Sequence, residues 1–176
     1  MPEWLHDVSR FAGQGGLLVV VLMPVAVWLW FLIVERYWFI YLAYPRLHRA
    51  LVQQWRARQE TSSWYAQKIR AAMVSENRAR LQAGLPTIGL LIAICPLLGL
   101  LGTVTGMVMV FDTIALTGTS DARAMADGIY RATLPTMSGL VLALSALYCN
   151  HQLQQKTRYL ADMFADQLQE SKVEST

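Results

Sequence analysis

The 176 residues suffice for one domain of ordinary size, and 55% of them are apolar against only 15% charged. A soluble domain runs closer to about 45–50% apolar and about 25% charged, so this composition, with a mean hydropathy of +0.33, excludes an ordinary soluble domain. The formal charge of +3 is modest, and where the charges stand says more than their sum.

The N-terminus carries Glu3 and Asp7 where a secretory signal would carry basic residues, and the first apolar run is too long for a cleaved leader, which predicts a retained membrane anchor. A span needs about 20 predominantly apolar residues. The first begins at Gly16 and runs uncharged from Leu17 to Val34, with Trp28, Trp30, Tyr37, Trp38 and Tyr41 crowding its far end as an interfacial aromatic belt does. Pro24 inside it is tolerated better in a membrane helix than in a soluble one. Glu35 and Arg36 stand at its inner end as a membrane-boundary pair, explained by an ion pair or by snorkelling.

Residues 45–86 follow with eight basic residues (Arg46, Arg49, Arg56, Arg58, Lys68, Arg70, Arg78, Arg80) against two acids, Glu60 and Glu76. The arginines alternate with Leu47, Leu51, Trp55, Trp64, Ile69 and Met73, which predicts amphipathic helices rather than a nucleic-acid surface. Contact with anionic lipid headgroups is a reasonable secondary role. The second span opens at Pro86, a residue suited to a first helical turn, and meets no charge until Asp112 near its outer end. The third runs from Gly128 to Cys149 with Arg131 as its one charge. The tail from His151 to Lys172 places Leu153, Leu160, Phe164 and Leu168 near helical spacing and continues the third span as one long helix.

Positive charge stays in the cytoplasm. The segment 45–86 is therefore inside, and the N-terminus and the 117–127 connection are outside. The expected fold is an all-α membrane protein of one domain over 1–176. Its three transmembrane helices cover about 17–43, 87–115 and 128–150, with cytoplasmic helical segments at 45–86 and 151–172. The N-terminus is periplasmic and the C-terminus cytoplasmic.

Catalytic constellations are not found. Cys95 and Cys149 lie in apolar runs and form neither a metal-spaced pair nor a disulfide framework. His6 falls outside and His48 and His151 inside, so they share no site, and the glycines at 99, 102 and 106 lie within a span rather than in a phosphate loop. No enzyme, cofactor or metal is expected.

The second span reads Cys95-Pro-Leu-Leu-Gly-Leu-Leu-Gly-Thr-Val-Thr-Gly106. Gly99, Thr103 and Gly106 fall on one helical face, and Gly102 with Gly106 forms a GxxxG pair, a pattern that lets membrane helices approach closely. The third span carries a second small face: Ala132, Thr136, Gly139, Ala143, Ala146 and Asn150. The Thr103 hydroxyl either bonds back to the preceding turn or lines a polar path, and Thr136 lies at a comparable depth on an antiparallel helix. From spacing alone, a pore and plain helix packing stand level.

Pro96-Leu-Leu-Gly99-Leu-Leu-Gly102-Thr103-Val-x-Gly106 resembles the second-helix signature of the MotA/TolQ/ExbB proton channel family, and of its ExbB/TolQ members most. Gly128-Ile129-x-x-Ala132, then Thr136-x-x-Gly139-Leu140-Val141 and Asn150, resembles their third-helix signature, and Glu35-Arg36 fits the first. The resemblance covers roughly 17–44 and 86–150. It implies a subunit of the bacterial inner membrane, a homopentamer in the lipid bilayer around two single-span helices of an ExbD-like partner. That partner carries an intramembrane Asp which takes up and releases protons, with Thr103 and Thr136 lining the pore beside it. A TonB-like protein passes the work to outer-membrane transport, as in a TonB-ExbB-ExbD system.

The residues agree with that division. No span holds a deeply placed acid, so a titratable carboxyl must come from elsewhere, while two threonine hydroxyls donate and accept. Two positions depart from the family pattern. Arg131 stands where better-known ExbB proteins carry an acid, as an outer-mouth or partner contact or a snorkelling arginine. Pro135 precedes Thr136 and is placed to kink the helix. The cytoplasmic segment is also short for the family, which points to its compact ExbB-like forms. Rival readings are a TolQ-like or flagellar-stator-like subunit, and a non-conducting membrane scaffold in which every small face is packing.

Overall fold

The structure, a computed structural model, describes residues 16–57, 63–117 and 122–173. The N-terminal residues Glu3, His6, Asp7 and Arg10, together with Arg58 and Glu60, lie outside the described residues. All described elements are helical: α1 (Gly16–Trp38), a π-helical segment (Phe39–Ala43), α2 (Tyr44–Arg56), α3 (Trp64–Gln82), α4 (Leu85–Thr117) and α5 (Ala122–Val173). Three stretches are long and apolar enough to cross a membrane, and they fall within Leu18–Trp55, Trp64–Leu116 and Met125–Gln169. A helix satisfies every main-chain polar group within its own segment, as hydrocarbon requires. Pro24, Pro96 and Pro135 all sit inside helices.

The expected tail helix is observed: α5 runs unbroken for 52 residues. The π-helical segment was not expected. Its physical cause is Pro45, which has no N–H to offer the Tyr41 carbonyl four residues back. The ladder widens by one residue instead, and the Tyr44 N–H donates to the Phe39 carbonyl. Ser63 starts α3 as its N-cap, with its hydroxyl accepting from the Ala66 N–H at 3.2 Å. That helix ends where Ala83 N–H bonds the Ala79 carbonyl at 2.9 Å, and Gly84 follows with φ +79°. A left-handed residue after a helix is glycine's ordinary place.

The chain forms two compact units. The first comprises the early part of α1, most of α4 and the N-terminal part of α5. On α5 its buried residues are Ala132, Pro135, Gly139, Ala143 and Ala146, four members of the small face expected from the sequence with Pro135 added. Leu97, Val104, Val108, Val141 and Leu144 point outward and are exposed, a surface suited to hydrocarbon or to further helices.

The second unit contains the end of α1, α2, α3 and the C-terminal part of α5. One cluster buries Trp55, Ala66, Phe164 and Leu168, with Leu51, Val52, Ile69, Met73 and Val74 against them. Another buries Tyr44, Leu81 and Ala161. A polar chain runs between them. Asn77, buried, donates from Nδ2 to the Tyr44 hydroxyl at 3.2 Å, which lies 3.4 Å from the Leu160 carbonyl and 3.5 Å from His48 Nδ1. His48 Nε2 meets Gln167 Oε1 at 2.9 Å, and its ring stands edge-on to Phe164.

Candidate functional site

The antiparallel contact of α4 and α5 in the first unit holds six residues singled out from the sequence, Gly99, Gly102, Gly106, Ala132, Thr136 and Gly139. Their spacing brings small residues of each helix opposite the other, and the approach is closer than any side chain at those glycines would allow. A Cβ on Gly99 would lie 2.9 Å from the Pro135 carbonyl oxygen and from the Thr136 Cα. One on Gly102 would collide with the Pro135 ring, and one on Gly106 would stand 2.6 Å from the Ala132 Cβ. From the other side, a Cβ on Gly139 would stand 2.6 Å from the Cys95 carbonyl oxygen, and one on Gly128 would collide with Val110. The seam is thus a ladder of five rungs: Val110–Gly128, Gly106–Ala132, Gly102–Pro135, Gly99–Thr136 and Cys95–Gly139. Such proximity turns many weak contacts into the force that holds membrane helices together.

Thr136 is half-buried on this seam, and its hydroxyl donates to the Gly99 carbonyl oxygen at 2.7 Å. Glycine at 99 is what makes that reach possible. Thr103, also half-buried, donates instead to Leu100 of its own helix at 2.8 Å. Ala143 is buried further along α5. Pro135 is fully buried in the notch between Gly99 and Gly102, so the residue flagged as a departure is a knob that fixes the register of the two helices. Lacking an N–H, it also leaves the Arg131 carbonyl without its usual helical donor, as Pro96 does for Ile92.

No charged side chain occurs over 89–111 or 132–148. Arg131 is exposed, and its Nε pairs with the Asp127 carboxylate at 3.0 Å one turn earlier. Asp112 is exposed on α4. In the second unit, Arg36 lies against Gly84, whose missing Cβ would stand 2.7 Å from the Arg36 Nε. The same guanidinium sits 5.4 Å from the centre of the Phe39 ring. Glu35 is exposed, and among the described residues no ion pair joins it to Arg36. Sequence reasoning did not find the role of Gly84, nor Asn77 and its chain of partners. Asn77 left a signal: it is a polar residue on the stripe of Ala66, Met73 and Leu81. Asn150, placed on the small face from spacing, is buried with its Oδ1 unpaired among the described residues.

The model of the MotA/TolQ/ExbB proton channel family matches residues 43–166. The chain belongs to this family. The match takes in both threonines, the whole glycine and proline seam, and the Tyr44, His48 and Asn77 members of the second unit's polar chain. Similar proteins bear the family's names. A putative biopolymer transport protein, ExbB-like 1, of a Synechocystis species is 34% identical over 97 residues, 53% of this chain and 38% of its own length. Biopolymer transport protein exbB1 of Vibrio cholerae is 39% identical over 75 residues, 42% of this chain and 33% of its own. Biopolymer transport protein ExbB of Salmonella typhimurium is 42% identical over 78 residues, 44% of this chain and 31% of its own. The chain thus matches about a third of the length of these relatives. No solved structure matches it. Family membership and three helices able to cross a membrane make the chain a multi-pass membrane protein. Thr136 on the seam and Thr103 on α4 supply two hydroxyls in stretches free of charge.

Proposed function

We propose that this protein is the channel and stator subunit of an inner-membrane motor that couples the proton-motive force to TonB-dependent outer-membrane transport. It does no enzymatic chemistry of its own. It works as a ring of identical subunits, a pentamer, around single-span partner helices of the ExbD kind, and a TonB-like protein carries the work outward. The N-terminus is periplasmic and the basic segment between the first two spans is cytoplasmic, a reading the distribution of Lys and Arg supports. Thr103 and Thr136 line the proton path, and Arg131 stands at its outer mouth.

The observation that carries this reading is Thr136, bonded across a glycine and proline seam to Gly99, with Thr103 on the facing helix in the same stretch without charge. A channel wall needs polar atoms placed by rigid elements, and an acid to carry the proton must then come from a partner. Co-expression with the candidate single-span, Asp-bearing partner, followed by native mass spectrometry of the detergent-purified assembly, tests it. A pentamer retaining two partner copies supports the reading. A monomer or dimer that ignores the partner overturns it in favour of a passive scaffold.

A further inference from the structure

Seven serine and threonine hydroxyls of the first unit donate to main-chain carbonyls. Thr103 gives its proton to Leu100, Thr105 to Leu101 or Gly102, Thr113 to Met109 and Thr133 to Tyr130. Ser138 gives its proton to Leu134 or Pro135, Ser145 to Leu142, and Thr136 reaches across to the other helix, to Gly99. A hydroxyl whose hydrogen is so committed presents only lone pairs outward. Pro96 and Pro135 add acceptors, since each leaves one helical carbonyl, that of Ile92 or Arg131, without its N–H partner. The charged groups described in this unit are Asp112, Arg123, Asp127 and Arg131, all outside the uncharged stretches 89–111 and 132–148. Arg131 is engaged with Asp127.

We infer that Thr103 and Thr136 form an acceptor-only lining, which selects the partner's intramembrane carboxyl in its protonated, neutral form and disfavours the carboxylate. This rests on the channel reading above. A protonated carboxyl donates its O–H to a threonine lone pair, whereas a carboxylate has nothing to donate and meets the negative end of each hydroxyl dipole. The two threonines therefore raise the carboxyl's apparent pKa. The opposite arrangement, hydroxyls donating to a carboxylate, would lower it.

The sign of the shift is the test. A hydrophobic carbodiimide modifies carboxyls in their protonated form, so labelling of the partner's acid against pH, in the co-purified complex, reads its protonation. Replacing Thr103 or Thr136 by Val removes the acceptor at nearly constant volume. The labelling midpoint is expected to fall by about half to one pH unit in each variant, the size of one net hydrogen bond. Thr136→Ser, which keeps the hydroxyl, should leave it unmoved. A midpoint that rises or stays put in the Val variants overturns the inference while leaving the channel reading intact. Failure of the partner to co-purify, or a complex with no reactive carboxyl, overturns the channel reading itself. Thr103→Val keeps the test decisive if Thr136→Val weakens the assembly, because the Thr103 bond lies within its own helix.

Discussion

A single methyl at Gly139 probes the seam most severely. It would stand 2.6 Å from the Cys95 carbonyl oxygen and 3.4 Å from the Gly99 Cα. Both are main-chain atoms of α4, so no rotamer change relieves the contact and the helices must part. Restoring an ordinary 3.4 Å contact takes about 0.8 Å of separation in a tightly packed interior. The same movement stretches the Thr136–Gly99 hydrogen bond from 2.7 Å to about 3.5 Å, where it no longer holds. Overpacking costs about 1–3 kcal/mol and the lost bond about 0.5–1.5 kcal/mol, offset by about 1 kcal/mol for replacing a helical glycine with alanine. Gly139→Ala should therefore destabilise the protein by about 2 kcal/mol, and Thr136→Val alone by about 1 kcal/mol. Unfolding in mixed detergent micelles, followed by circular dichroism, measures both. The double variant should cost less than the sum, because the bond is already broken in Gly139→Ala. A Gly139→Ala protein as stable as the parent, or strict additivity, would refute the reasoning.

Gly84→Ala is expected to cost about 1–2 kcal/mol from its left-handed backbone alone, and more because Arg36 occupies the space; thermal unfolding reads it. Tyr44→Phe leaves the buried Asn77 Nδ2 without the acceptor it has now, which should cost about 1–3 kcal/mol. Tyr44→Phe combined with Asn77→Leu should recover part of that loss, since the buried amide is then no longer stranded. Arg131→Gln should change stability by less than about 1 kcal/mol, because its pair with Asp127 is solvent-exposed. A larger loss would mean that Arg131 has a buried role.

What was legible in the sequence is what short-range periodicity encodes. The three spans follow from uninterrupted apolar runs, and the small faces at Gly99, Gly102 and Gly106 and at Ala132, Thr136 and Gly139 follow from spacing along single helices. The long final helix followed from the same logic. Which small residue meets which was not legible, because register between two helices is a tertiary property set here by Pro135 in its notch. The direction of the Thr136 bond, towards Gly99 rather than its own preceding turn, depends on that register. Arg36 meets Gly84 across 48 positions of chain, and no local pattern announces such a pairing. Asn77 and the π-helical segment before Pro45 left traces, a polar residue on an apolar stripe and a missing N–H, that become readable once helices α2 and α3 are in place.

Proton flux is the most direct test of the central claim. The complex of this chain with its single-span, acid-bearing partner would be reconstituted in liposomes under a pH gradient, with flux followed by an entrapped pH dye. The account predicts flux from the parent complex and its loss in Thr103→Val, with the oligomer's mass unchanged. Undiminished flux in Thr103→Val, or none from an intact parent complex, would contradict it.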